Sequence, residues 1–539
     1  MVLRQLLKTY LFDTIFSPYT INGPNKNNLE LVLDDTTTKI VNSCSDITYI
    51  YDQGIVLMSN INDTKEIKET NKVQNTNKKS KKNILPRLYF IDPTHENFEI
   101  IINTPHNDIY IFVLSRCLDE IYEYFIKSNK VPYLKVFSEV NINWYINDEN
   151  IFMISNTFAK NNQNNIQNTQ NIIRSIESFY KFVGKKPVIF NTSNNMDISK
   201  MITMSLEIQI NSNYTTEPKT NNSDNNNVII IDRKHDYITP LIHNTTYFGM
   251  INDLLDKSSN VHDNDDNFYN EQKYNDISVV AHDVNTRMTE FRKINNVVKF
   301  NESKQNAKQN KISDLSAVVR DVPKYEKTMN MFKKHISVLD KCMKACEKQQ
   351  IKGLIDLEND IINLRNNQAK LHDKDNNTII DIENEIISIV ENKEIDRYSK
   401  IRILLLYNII INKLHNNLNN TLMEKLNGVH NNLVNPSIMT IDNNMNIIDV
   451  MSDVYAILQN IDQTTEFVSL HENIEKVINK NPKSYLRSKH TYTIFVIGGI
   501  CTNELCIINE LEKKHSIKII VGSTHIFTPN EFVDHLLNS

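Results

Sequence analysis

A chain of 539 residues exceeds what one hydrophobic core serves, and at a prior of about 150 residues per domain it divides into roughly three or four folding units. Its 60 Lys and Arg against 65 Asp and Glu leave a formal charge of -5, so the whole-chain balance gives no attraction to nucleic acid or anionic lipid, and no nucleic-acid partner is expected. The nine glycines fit neither the phosphate loop before Lys-Ser/Thr, nor the dinucleotide fingerprint, nor a serine elbow flanked by glycines. Enzymes built on those loops are excluded, and no cofactor is expected.

From the N-terminus, Leu3, Leu6, Leu7, Tyr10 and Leu11 fall on one helical face. Leu29–Leu33, Arg87–Ile91 and Ile109–Leu114 follow as near-continuous apolar runs, the pattern of strands buried on both faces of a sheet. Helical stretches after each run predict a parallel, doubly wound α/β domain over residues 1–149. Within it, Lys65 to Asn83 is rich in Lys and Asn and reads as a solvated insertion. The helix after Ile109–Leu114 carries Leu118, Ile121, Tyr122, Phe125 and Ile126, more apolar surface than one buried stripe requires, so part of it is expected to form an outward peptide groove.

Near the C-terminus, Thr493–Ile497 reads as a strand ending at Gly498-Gly499, then a helix from about Thr502 to His515, a strand Ile517–Val521 and a last helix opened by the capping box Thr528-Pro529-Asn530-Glu531. A unit of that size cannot cover both faces of its own sheet, and Val228–Ile231 is the strand it would borrow. One discontinuous α/β domain is therefore predicted, about 150–255 plus 490–539, with a helical domain, 256–489, inserted in it. In that insert Tyr325, Met329, Phe332, Ile336, Leu339, Met343 and Cys346 recur at spacings of four and three as one stripe. Pro323, just before it, has no N–H to donate and disfavours helical geometry at Val322, which predicts a kink or break there. Further helices are expected around Ile379–Val390 and Ile401–Leu414.

Six cysteines are too few and too scattered for a disulfide scaffold, and Cys342 and Cys346, one helical turn apart, read as buried helix residues with no metal expected. No run reaches the ~18 apolar residues needed to span a bilayer. The expected location is cytoplasmic, with membranes reached only through partners.

The most informative string runs from Ile231 through Asp232, Arg233, Asp236, Thr239, Pro240 and Leu241 to Thr246-Tyr247. An apolar strand emptying into Asp-Arg-x-x-Asp puts opposite charges at the carboxyl end of a sheet, where open α/β domains keep ligand sites. Asp232 and Asp236 have an arginine between them and no companion base, so an ion-paired network fixing the loop is favoured over a catalytic pair. Thr239 and Pro240 are expected to cap and open the next helix.

This string resembles the signature of the SM family, the syntaxin-binding proteins that chaperone SNARE assembly, which carries Asp-Arg-x-x-Asp-x-x-Thr-Pro-Leu-x-x-x-x-Thr-Tyr. The resemblance extends to Ile-Phe-Val-Ile-Gly-Gly around residue 497, Ile-Ile-Val-Gly-Ser-Thr around residue 521, the strand Leu31 to Asp34 and Val322-Pro323-Lys324-Tyr325, and among branches is closest to the endosomal one. Phe248 and Gly522-Ser523 depart from the usual pattern. The resemblance implies an arch of two doubly wound parallel-sheet domains and a helical domain, without catalysis. It implies a cleft, with Lys39, holding a syntaxin helical bundle, and a pocket at Leu118, Phe125 and Ile126 for a syntaxin N-terminal peptide. It also implies a helical hairpin, about 285–350, hinged at Val322 and Pro323, that takes a vesicle SNARE. The chain would be a monomer, peripheral on endosomal, Golgi or vesicle membranes. The alternatives are a tethering-complex subunit of the vacuolar branch and an α/β enzyme with a site near Asp232.

Overall fold

Five short apolar runs build the first sheet: β1 (Leu29–Leu33), β2 (Ile55–Asn60), β3 (Arg87–Ile91), β4 (Ile109–Val113) and β5 (Leu134–Glu139). All pair in parallel in the order β2-β1-β3-β4-β5. Every residue of β1 and β4 is buried, as central strands covered on both faces require. The computed structural model describes residues 3–20, 28–63, 85–105, 107–154, 165–183, 187–191, 198–213, 226–255, 266–294, 312–366, 376–414, 447–460, 469–480 and 491–538. The Lys- and Asn-rich stretch Lys65 to Asn83 lies outside them.

The helices of this part are α1 (Leu3–Tyr10), α2 (Asp35–Cys44), α3 (Ile47–Asp52), α4 (His95–Asn103), α5 (Asp119–Ile126), α6 (Asn165–Val183) and α7 (Ile198–Asn213). Asp34 starts α2 with a reciprocal cap: its Oδ1 accepts from the Thr37 N–H at 2.8 Å, while Thr37 Oγ1 accepts from the Asp34 N–H at 2.9 Å. Its Oδ2 accepts from the Asp92 N–H at 2.6 Å and from Asn97 at 3.1 Å, tying the carboxyl ends of β1 and β3 together.

The second sheet collects strands from distant parts of the chain: β6 (Trp144–Asp148), β7 (Ile151–Ile154), β8 (Pro187–Asn191), β9 (Asn226–Asp232), β10 (Thr491–Ile497) and β12 (Lys518–Ser523), with β11 (Ile500–Cys501) and β13 (Ile526–Phe527) forming a separate two-stranded pair. The order is β6-β7-β12-β10-β9-β8, so the C-terminal strands are interior and Val228–Ile231 lies directly against β10. Two features differ from the sequence reading. Trp144–Asp148, placed within residues 1–149, pairs with β7 across a two-residue turn, so the chain has entered the second sheet before residue 149. That pairing is antiparallel, which gives the otherwise parallel sheet one reversed edge. Gly522 sits where a Cβ would meet the Phe152 ring at 2.3 Å and the Phe495 ring at 2.6 Å. One core cluster joins residues of both sheets, from Leu3 through Trp144 and Phe179 to Ile520.

The chain forms two compact units. Both sheets belong to the first. The second comprises residues 233–473, 500–515 and 526–539 and is mainly helical: α8 (Tyr247–Leu254), α9 (Asn267–Gln272), α10 (Ile277–Ile294), α11 (Ile312–Lys348), α12 (Ile351–Asn366), α13 (Asn376–Glu391), α14 (Arg397–Leu414), α15 (Ile447–Asn460), α17 (Thr502–His515) and α18 (Pro529–Asn538), with α16 (Leu470–Lys480) crossing the division. Helix α14 is buried all round from Ile401 to Ile411, which explains an apolar pattern without a polar face.

Of the kink or break expected at Pro323 the break does not occur, and the buried stripe of α11 is shifted from the expected one. The helix runs through Pro323 without a break. Pro323 is exposed, and the following turns are anchored by buried Met329 and Phe332, so packing downstream overrides the local cost of the ring. The buried stripe also lies slightly round from the predicted one: Met329, Phe332, His335, Val338, Leu339 and Cys342 face inward, whereas Met343 is 42% exposed.

Candidate functional site

The signature string forms a buried junction in the second unit. Arg233 sends both terminal nitrogens to Glu504, Nη1 and Nη2 donating to Oε1 at 2.8 Å and Nη2 to Oε2 at 2.8 Å, and Nη1 also donates to the Asp236 carbonyl at 3.0 Å. The bidentate partner of the arginine is thus Glu504, in the first turn of α17, a residue outside the string that the sequence reading singled out. Burial works to lower the Arg233 value, but Glu504 and Asp236 outweigh it and hold the guanidinium charged. Burial pushes the Glu504 carboxyl up against the pull of Arg233. Positive φ at Gly498 and Gly499 makes the turn that delivers the chain to α17.

Asp236 organises the loop instead. Its carboxylate accepts from the N–H groups of Ile238 (3.1 Å), Thr239 (2.9 Å) and Leu470 (2.9 Å) and from the Thr239 hydroxyl (2.5 Å). Thr239 therefore donates to Asp236 and does not cap a helix. Thr239–Leu241 is one 3-10 turn with Pro240 in it, and the α-helix that follows, α8, is capped by Thr246, whose Oγ1 accepts from the Gly249 N–H at 3.1 Å.

The junction continues through two buried relays that sequence reasoning missed. His243 donates its backbone N–H to Glu358 Oε2 at 2.9 Å, its Nδ1 lies 2.6 Å from Glu358 Oε1, and its Nε2 lies 3.3 Å from Ser399 Oγ. The order Ser–His–Glu is that of a nucleophilic triad, but His243 and Glu358 side chains are each 1% exposed, so a substrate has no approach. Tyr247 Oη lies 2.9 Å from His335 Nδ1, and His335 Nε2 lies 2.8 Å from Asp266 Oδ2, linking α8, α11 and the start of α9. Burial works against the charged Asp266 carboxylate, but hydrogen bonds from His335 and the Tyr269 N–H outweigh it and hold Asp266 below the usual range. Arg402 closes the set, donating to the Leu241 carbonyl and to both oxygens of Asp253. Of these residues, Tyr247 had been named in the sequence, as the end of the signature string.

The surface residues stand elsewhere. On α5, Leu118 at the N-cap, Tyr122 and Ile126 lie four residues apart in one row and are 61%, 42% and 41% exposed. Phe125 is corrected: it is fully buried, edge-to-face on Phe98 at 5.8 Å, and serves the core. Lys39 is exposed on α2. In the second unit α10 and α11 pack as neighbours, with Phe291 stacked on Tyr325 at 5.6 Å, and Val322 is half-buried beside exposed Pro323. Asp232 is buried at the end of β9, opposite Ile497.

A model of the Sec1 family matches residues 30–535. The chain belongs to the Sec1 family. Among its relatives, a protein transport protein sec1 from Dictyostelium discoideum is 21% identical over 99% of this chain and 98% of its own length. A vacuolar protein sorting-associated protein 45 from the same organism is 23% identical over 70% of this chain and 65% of its own. Solved Sec1-family structures share the fold across 100% of the chain: the SM protein Vps45 in complex with the Qa SNARE Tlg2 at a TM-score of 0.71, 14% identity and 98% coverage of that chain, and the Unc18–syntaxin 1 complex from Monosiga brevicollis at 0.67, 18% and 99%. In this Sec1-family chain the signature loop thus builds a buried interior joint, while the α5 row stands exposed to solvent. Among the described residues, no helix is long and apolar enough to cross a membrane.

Proposed function

We propose that this chain is an SM-type chaperone of SNARE assembly that binds a syntaxin-type SNARE during vesicle docking and fusion on the endosomal and Golgi route. The observation that carries the reading is the family match over residues 30–535, supported by full-length likeness in fold to proteins solved with a Qa SNARE or a syntaxin. Similarity to Vps45 favours the endosomal branch. The chain acts without catalysis, as a monomer in the cytoplasm. The exposed row of Leu118 and Ile126 takes the syntaxin N-terminal peptide, Lys39 belongs to the surface that holds the helical bundle, and the 285–350 hairpin, hinged at Val322 and Pro323, takes the vesicle SNARE.

Pull-down of syntaxin cytosolic domains by the full chain tests the reading, with Ile126→Arg as the local probe. Parent protein should retain one syntaxin, and the variant should lose the N-terminal peptide while keeping its thermal transition, because a charge now interrupts an apolar row. Retention of no syntaxin, together with stable co-purification of large tethering subunits, would favour the vacuolar tethering branch instead.

A further inference from the structure

We propose that the solvent face of α11 is an electrostatic docking surface for an anionic membrane. Lys327, Lys334, Lys341 and Lys348 recur every seven residues and are all exposed. Seven residues are two turns, so the four ammonium groups form one stripe, about 32 Å long at 1.5 Å per residue. Lys333 and Lys344 flank it, also exposed. Residues 322–348 hold seven Lys against Glu326, Asp340 and Glu347, a local charge of 7 - 3 = +4 in a chain whose total is -5. Of these acids, Asp340 pairs with Lys344 at 2.6 Å, at the side of the stripe.

The stripe is fixed outward by what lies behind it. Met329, Phe332, His335, Leu339 and Cys342 bury the opposite face, and His335 is bonded on both ring nitrogens, so the helix cannot roll to hide its lysines.

The chemistry of the face selects the occupant. A helical protein partner needs an exposed apolar seam for knobs-into-holes packing, yet the fully exposed positions between the lysines are Asn330, Ser337 and Lys344, while Met331, Val338 and Ala345 beside them are half-buried or buried. A guanidinium fork would mark directed recognition of single carboxylates or phosphates, whereas lysine is a compact, hydrated point charge suited to a diffuse negative potential. A bilayer containing anionic lipid supplies that potential over the required length, and each lysine near it contributes roughly a fivefold gain in partitioning. With no fully exposed apolar side chain between the lysines, α11 would lie on the headgroups without inserting.

Sedimentation of the full chain with phosphatidylcholine vesicles, and with the same vesicles containing phosphatidylserine, tests this. Binding is expected only with phosphatidylserine, and it should fall steeply as salt rises. Replacing Lys327, Lys334, Lys341 and Lys348 together by Gln should weaken it by about 600-fold, four factors of about five, with the helical circular-dichroism signal and thermal transition unchanged, while the four-fold Lys→Arg variant should bind within a few-fold of the parent. The proposal is overturned if the parent ignores phosphatidylserine or the Gln variant binds as the parent does. Loss of binding in the Arg variant would overturn it too, as would the four lysines proving necessary for an acidic helical peptide and not for vesicles.

Discussion

Arg233 and Glu504 are sealed from water and joined by three hydrogen bonds, so removing either leaves a buried charge alone. Glu504→Ala should therefore cost about 3–5 kcal/mol in chemical denaturation, the size typical of a broken buried pair; a loss no larger than that of an exposed glutamate on the same helix would contradict the assignment. The motif announced an ion-paired joint, but its partner is 271 residues away, and no local spacing reports a contact made only by the fold. Asp236 was legible as important and not as a collector of backbone N–H groups, because that role depends on how the loop turns. A second residue-scale effect concerns Asp92, which burial and the neighbouring Asp34 carboxylate push up to about 6 from 3.8. Its folded value lies above its unfolded one, so the folded state binds the extra proton between those values, and stability falls as pH rises through that window. Asp92→Asn should stabilise the chain by about 1–2 kcal/mol at pH 7, discounted for partial exposure, and the gain should vanish towards pH 4. Equal effects at both pH values would refute it.

At the scale of elements, apolar runs and helical periodicity were readable because burial on both faces of a sheet, or on one face of a helix, imposes them residue by residue. Val228–Ile231 could be matched to the C-terminal strands for the same reason, since a sheet of that size had to borrow from elsewhere. The edge strand Trp144–Asp148 was less legible: its alternate burial fits an edge, and only its short turn to β7 assigns it to the second sheet. Gly522 carries no positive φ, yet Phe152 and Phe495 occupy the space of its missing side chain. Gly522→Ala should cost about 1–3 kcal/mol by overpacking, and Gly522→Ala with Phe152→Leu should recover part of it; no loss in the single variant would show that the rings move freely. Helix α11 passes through Pro323, so its continuity is held by packing at Met329 and Phe332 and not by local preference. Pro323→Ala restores a donor and should favour the continuous helix by up to ~3 kcal/mol, read as slower hydrogen exchange around residue 323. Unchanged exchange would mean that the ring imposes no cost there.

For the whole molecule, the likeness in fold persists at 14–18% sequence identity across the full chain, and the signature loop lies in the interior of the second unit. The loop that identified the family in the sequence is therefore architecture, while the surfaces that would meet partners consist of exposed apolar and basic residues whose spacing alone could not separate them from core. Phe125 and Ile126 are the clearest case: neighbours in the chain, one sealed in the core and the other 41% exposed. In the role proposed above, this chain promotes pairing of SNAREs without chemistry of its own. The most direct measurement of that role is the rate at which a bound syntaxin-type SNARE and its vesicle SNARE assemble, followed by fluorescence transfer between labelled helices, with and without the full chain. The expected result is faster assembly that saturates at one chain per syntaxin; an unchanged assembly rate for every syntaxin that the chain retains would contradict it.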